Sequence, residues 1–156
     1  MLYTLGIKHN IEIAHRLSLT EGKCEAIHGH SMNVELEISA SKLDDKGLMA
    51  GLEFGAMKKT FRAYLDNTFD HRLLLNVSDK WAQPVAFFSE KGEPLAQLRM
   101  TYLPGLQTMI GDPTTENIAT NIGLWCWNEW GHVHGYSNYT VTVWETATNK
   151  AVWRMG

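Results

Sequence analysis

The sequence predicts an α+β domain with two helices gathered on one face of a mainly antiparallel sheet. Two observations predict it. Residues alternate apolar and polar with a period of two at both ends of the chain, and two stretches between them repeat at three- and four-residue steps. A length of 156 residues suits one domain, 1–156, with enough chain for a hydrophobic core.

The first strand carries Tyr3, Leu5, Ile7, Ile11 and Ile13 on one face and Thr4, Lys8, Asn10 and Glu12 on the other. His9 and His15 fall on the apolar side. After the turn-like Thr20-Glu21-Gly22-Lys23, a second strand places Met32, Val34, Leu36, Ile38 and Ala40 opposite Ser31, Asn33, Glu35, Glu37 and Ser39. His28 and His30 are in phase with the apolar set. Residues 41–47 read as a loop. Phe54, Met57, Phe61 and Leu65 then mark an amphipathic helix over about residues 53–66.

That helix ends before Asp70-His71-Arg72. Residues 77–112 hold Pro84, Gly92, Pro94, Pro104, Gly105 and Gly111 around short apolar runs, which reads as an insertion with one hairpin. Asp112-Pro113-Thr114-Thr115 supplies capping residues and a proline at a helix entry. Ile118, Ile122, Trp125 and Cys126 define the second helix. Tyr139, Val141 and Val143 then alternate against Thr140, Thr142 and Trp144, Glu145 continues the apolar face, and 151–155 form a short last strand.

Composition narrows the function. Net charge is -3 and no run of Lys or Arg stands out, which argues against a nucleic-acid-binding surface. No apolar stretch is long enough to span a bilayer, so no membrane partner is expected. The opening MLYTLGIKHN lacks the layout of a signal peptide, and the expected location is the cytoplasm. In that reducing compartment Cys24 and Cys126 do not suggest a disulfide.

Three in-phase histidines are the strongest chemical signal. His28 and His30, one residue apart on a strand, project their imidazoles to the same side. His15 ends the preceding strand, and a hairpin-like return brings it opposite them. Three neutral imidazoles with one open position suit catalytic Zn²⁺. A competing pair, His132 and His134, has no apolar phase around it and reads as loop. His9 reads as core or edge packing.

Cys24 has three readings: fourth zinc ligand, inert thiol, or a thiolate whose pKa is lowered by a nearby cation. Cys126, beside Ile122 and Trp125, is a packing cysteine. Asp70-His71 is either a polar pair at a helix end or a relay in which the aspartate fixes the histidine tautomer. Glu145 faces inward, where an unpaired carboxylate is costly. It meets either an arginine or two N–H groups of a guanine-like ring.

Five blocks then converge. Residues Ile11 to Leu17, Cys24-Glu25-Ala26-Ile27-His28-Gly29-His30, Phe69-Asp70-His71-Arg72-Leu73-Leu74-Leu75-Asn76, Pro113-Thr114-Thr115-Glu116-Asn117 and Trp144-Glu145-Thr146 occur in that order across nearly the whole chain. Together they resemble the 6-pyruvoyl/6-carboxy-tetrahydropterin synthase family. The resemblance implies the tunnelling fold (T-fold), a ββ-α-α-ββ sheet that oligomerises into a barrel, with two rings stacking as a homohexamer and active sites between subunits.

It also implies roles. His15, His28 and His30 bind zinc, Cys24 takes a proton, and Asp70 and His71 relay it. Glu145 anchors a pterin ring with Thr114 and Thr115 near it. The implied substrate is 7,8-dihydroneopterin triphosphate. The three-residue gap between Cys24 and His28 resembles the carboxy-forming enzymes of 7-deazaguanine (queuosine) biosynthesis, whose products would be 6-carboxy-5,6,7,8-tetrahydropterin, acetaldehyde and triphosphate. Arg16, Lys23 and Arg72 are cations near the motifs.

Two features depart from the family pattern. Leu52-Glu53-Phe54 stands where a hydrophobic-Asp-Phe entry is usual, and the 77–112 segment is longer than in compact members. Three other readings stay open: a pyruvoyl-forming or other pterin side-chain lyase, a non-catalytic zinc-stabilised binding or assembly protein with Cys24 as fourth ligand, and a zinc hydrolase. The last is disfavoured because the chain has no His-Glu-x-x-His helix.

Overall fold

The structure is a computed structural model that describes residues 1–49, 52–82, 84–88, 94–99, 106–131 and 136–156. Strand β1 (Tyr3–His15) and strand β2 (His28–Ala40) are the two predicted N-terminal strands. They pair antiparallel in one unbroken register from Tyr3↔Ala40 to His15↔His28. Helix α1 (Phe54–Thr68) and helix α2 (Thr115–Trp130) match the two periodic stretches. Strands β7 (Tyr136–Trp144) and β8 (Lys150–Met155) close the chain as an antiparallel pair.

Four shorter strands lie between the helices. Strand β3 (Arg72–Asn76) runs parallel to β1, and β6 (Leu106–Met109) runs parallel to β3. The main sheet therefore has six strands in the order β6-β3-β1-β2-β7-β8 and is mixed. Strands β4 (Pro84–Phe88) and β5 (Pro94–Arg99) form a separate antiparallel pair inside the 77–112 segment.

Alternation becomes a one-sided core. Ile11, Met32, Val34, Leu36, Ile38, Val141 and Val143 are fully enclosed, while Thr4, Lys8, Asn10, Glu12 and Ser31 on the opposite face are exposed. Met57, Phe61 and Leu65 of α1 and Ile118, Ile122 and Cys126 of α2 cover the apolar face. Each such aliphatic or aromatic side chain contributes about 1.5–3 kcal/mol on burial. Phe54, which shares their sequence period, stays mostly exposed at the first turn of α1, and Met49 and Leu52 are buried instead. Tyr64 and Trp125 join the helices by stacking at 3.8 Å between centroids.

Two local features tie the site to this frame. Gly123 lies so close to the Trp153 ring that a Cβ there would overlap it, which brings α2 down onto β8. The chain leaves α1 through His71, whose φ of 55° is the left-handed conformation that glycine usually takes at a helix C-terminus.

Candidate metal and substrate site

The β1–β2 register decides where the histidines meet. His15 is opposite His28, and His30 sits two pairs away, opposite Ile13 and on the same face. All three rings project from the core face at the end of the ladder. Their centroids are 4.6, 5.0 and 5.1 Å apart, and one ligand nitrogen from each lies within 4.8 Å of the others.

Main-chain carbonyls set two of the tautomers. His15 Nδ1 lies 2.7 Å from the Pro113 carbonyl and His28 Nδ1 lies 2.7 Å from the Ala26 carbonyl. A carbonyl only accepts, so both Nδ1 atoms carry the proton and donate. Both Nε2 atoms are then bare lone pairs in the neutral rings, and they face each other at 3.2 Å. Two lone pairs at that distance repel unless a cation lies between them. Burial holds the His15 pKa below its ordinary value, and repulsion from His28 and His30 adds to this against the opposing Pro113 bond. Neutral imidazole is the form that ligates. The three residues can therefore hold a metal ion.

Glu145 stands beside the third ring. Its Oε1 accepts a hydrogen bond from Thr115 Oγ1 at 3.0 Å and lies 3.9 Å from His30 Nε2. Among the described residues no arginine pairs with it. Thr114 is occupied as the N-cap of α2, where its Oγ1 accepts from Asn117 N–H at 3.2 Å. Glu145, Thr115 and the histidines thus form one continuous polar group at the mouth of the sheet.

Cys24 sits on an exposed 3-10 turn, Lys23–Glu25, whose position is fixed by a Leu17 N–H to Cys24 carbonyl bond of 2.8 Å. Its sulfur is not part of the 4.8 Å ligand cluster. The arrangement gives no support to Cys24 as a fourth ligand.

Asp70 and His71 form a dyad of their own. Asp70 Oδ1 accepts the Glu12 N–H at 2.8 Å, and His71 Nδ1 donates to Asp70 Oδ2 at 2.8 Å. Burial pushes the Asp70 pKa up, but the bonds from Glu12 and His71 outweigh it and hold the carboxyl below its usual value. His71 is 80% exposed, which leaves its Nε2 open to solvent. The dyad is level with Glu12, three residues before His15, roughly 10 Å along the strand. No hydrogen bond among the described residues joins it to the three histidines.

Other candidates fall elsewhere. Arg16 is buried against Asp79 at 3.4 Å, with Glu25 at 3.7 Å, so its charge is already matched. Arg72 donates to the Asn67 carbonyl at 3.2 Å. His9 pairs with Asp66 at 2.6 Å at the edge of α1. His132 and His134 lie outside the described residues.

Sequence reasoning missed Asp112 as more than a cap. Its side chain accepts from Ser18 Oγ–H at 2.6 Å and Leu19 N–H at 2.7 Å, and it reaches Asn76 Nδ2 at 3.3 Å. Burial raises its pKa, but the Ser18 and Leu19 bonds dominate and leave it lowered. The only available signal was its place before Pro113.

Known proteins resemble this chain in sequence and in fold. A family model described as 6-pyruvoyl tetrahydropterin synthase matches residues 4–155. The chain is 32% identical over 111 residues to the 6-carboxy-5,6,7,8-tetrahydropterin synthase of Rickettsia felis, covering 71% of this chain and 70% of that one. It is 21% identical over 150 residues to the protein of the same name from Haemophilus influenzae, covering 95% and 96%. The crystal structure of 6-pyruvoyl tetrahydropterin synthase from Plasmodium vivax superposes with a TM-score of 0.74 at 18% identity, covering 99% of this chain and 98% of that one. The fold is therefore the tunnelling fold. With the match running from the first strand to the last, the chain belongs to the 6-pyruvoyl tetrahydropterin synthase family.

Proposed function

We propose that this chain is a zinc-dependent lyase, a 6-carboxy-5,6,7,8-tetrahydropterin synthase. It would convert 7,8-dihydroneopterin triphosphate and one water into carboxy-tetrahydropterin, acetaldehyde and triphosphate, as a step toward 7-deazaguanines such as queuosine. The observation that carries the reading is the convergence of His15, His28 and His30, with two bare Nε2 atoms 3.2 Å apart. Tetrahedral zinc with bonds of about 2.0–2.1 Å separates neighbouring ligand nitrogens by roughly 3.3 Å. The carboxy-forming branch rests on the short Cys24–His28 spacing and on the names of relatives such as the Rickettsia felis protein.

When bound at the three histidines, Zn²⁺ would supply a Lewis acid that polarises the side-chain oxygens and acidifies neighbouring C–H bonds. The chain's own residues do the rest. Glu145, oriented by Thr115, accepts two N–H bonds from the pterin ring and orients the substrate for proton transfer. Thr114 holds the same helix entry in place. Cys24 takes a proton as thiolate from its exposed turn, and His71, its tautomer fixed by Asp70, moves a proton at Nε2.

The 10 Å offset between dyad and histidines favours a site completed by a second copy, consistent with a homohexamer built as a dimer of trimers. The β4–β5 pair outside the main sheet supports a single domain with an insertion within 77–112, a segment whose later strand β6 rejoins the main sheet. A cytoplasmic location is part of this proposal; no described helix is long and apolar enough to cross a membrane.

The test is incubation of purified, zinc-loaded protein with 7,8-dihydroneopterin triphosphate and identification of products by mass spectrometry. Carboxy-tetrahydropterin with acetaldehyde is the expected result. A pyruvoyl product would move the chain to the other branch of its family. No turnover by metal-loaded protein would leave a non-catalytic zinc protein.

A further inference from the structure

His15 is held by a residue 98 positions away, the carbonyl of Pro113. The residue before it in the chain is Asp112, which is only 5% exposed and is tied down through both its side chain and its own carbonyl. Its side chain takes Ser18 Oγ–H and Asn76 Nδ2–H on Oδ1 and the Leu19 N–H on Oδ2. Its own carbonyl takes Thr114 N–H and Asn117 Nδ2–H, each at 2.8 Å.

Ser18 and Leu19 follow His15 by three and four residues. A closed circuit results: from the His15 ring to Pro113, through Asp112 to Ser18 and Leu19, and back along the chain to His15. Gly111 lets the chain enter this turn at a φ of 79°, where a Cβ would crowd Asn117 Nδ2 at 3.0 Å.

We propose that Asp112 is a positioning residue for the metal site: its side chain holds the Pro113 carbonyl against His15 Nδ1 and so fixes the tautomer and aim of the His15 ring. The consequence for zinc rests on the reading given under Proposed function, whereas the tautomer lock operates without any ion. The competing role is a start signal for α2. Against it, the side-chain cap of that helix is made by Thr114, and among the described residues the Asp112 carboxylate bonds only to Ser18, Leu19 and Asn76.

Two measurements on Asp112→Ala separate the roles. The first is histidine-selective nitrogen-15 NMR of the metal-free protein. The His15 ring should be a single Nδ1–H tautomer in the parent and a mixture of both tautomers in the variant. The second is zinc affinity by chelator competition, expected to weaken about 10–100-fold, the usual cost of losing an outer-shell partner.

A variant that melts at lower temperature but keeps the single tautomer and the parent affinity would overturn the proposal. If Asp112→Ala does not fold, Ser18→Ala decides. It removes one bond and should mix the tautomers partially and weaken zinc several-fold, and an unchanged ring and affinity would again overturn it. Should the parent bind no zinc, the metal reading fails, and the NMR result alone still judges Asp112.

Discussion

The three histidines and the residues assigned to proton transfer are built in opposite ways. His15 is buried, His28 and His30 are half-buried, and two of these rings are pinned by carbonyls of the same chain. Cys24 lies exposed on a short turn, and His71 projects into solvent from a left-handed backbone position. Ligands need pre-set tautomers and directions before an ion arrives, and a single chain provides them. Groups that handle substrate protons must stay accessible, and under the proposed function a second copy of the chain would enclose them.

The largest effect should come from breaking the histidine side. His28→Ala should weaken zinc by more than the roughly 100-fold that outer-shell losses cost, read as metal content after gel filtration. Retained zinc would mean that the ligand set is different. Next, Cys24→Ala should keep its zinc while turnover falls by about 10²–10⁴, the usual worth of a positioned general base. Zinc loss in that variant would erase the contrast between the regions and revive the closed structural site.

A control sharpens the comparison by touching neither region. Gly123→Ala drives a methyl into the Trp153 ring, and overpacking of this kind costs about 1–3 kcal/mol. Thermal unfolding should show the loss, with zinc affinity of the folded protein unchanged. If affinity falls too, the histidines depend on α2–β8 packing as well as on their own carbonyls.

The smallest effect concerns acid. Asp70 and Asp112 both have lowered pKa values in the fold, because N–H and O–H donors outweigh their burial. A depressed carboxyl stabilises the fold above its unfolded pKa of about 3.9 and loses that contribution as pH falls through the folded value. Melting temperature should therefore drop on acidification. Asp112→Asn should flatten that drop more than Asp70→Asn, because Asp112 is the more enclosed. Equal slopes in scans of both variants and the parent would refute this assignment.

Much of the frame is legible in the sequence because alternation and helical period report directly on which face is buried. β1, β2, β7 and both helices follow from that alone, and so does the inward phase of Glu145. β3 does not, since Arg72-Leu73-Leu74-Leu75-Asn76 is a short apolar run with no alternation, the usual signature of a parallel strand. β6 is concealed by the glycines and prolines around it. At the site, side-chain ligands can be read from spacing, but the Pro113 and Ala26 carbonyls cannot, because every residue type carries one. Asp112 reads as a cap in the sequence for a different reason: its partners Ser18 and Leu19 are more than ninety residues away.

The unbroken pairing of β1 with β2 works as a ruler. His15 and His28 are its last division, and each residue along either strand counts toward where they land. Inserting one residue inside β1 or β2 would turn every later side chain to the other face, sending imidazoles to solvent and polar groups into the core. Adding residues at the exposed Thr20-Glu21, clear of Ser18, Leu19, Cys24 and Ala26, would lengthen only the path between the two scales. Insertions and deletions should therefore be tolerated there and rejected within β1 and β2.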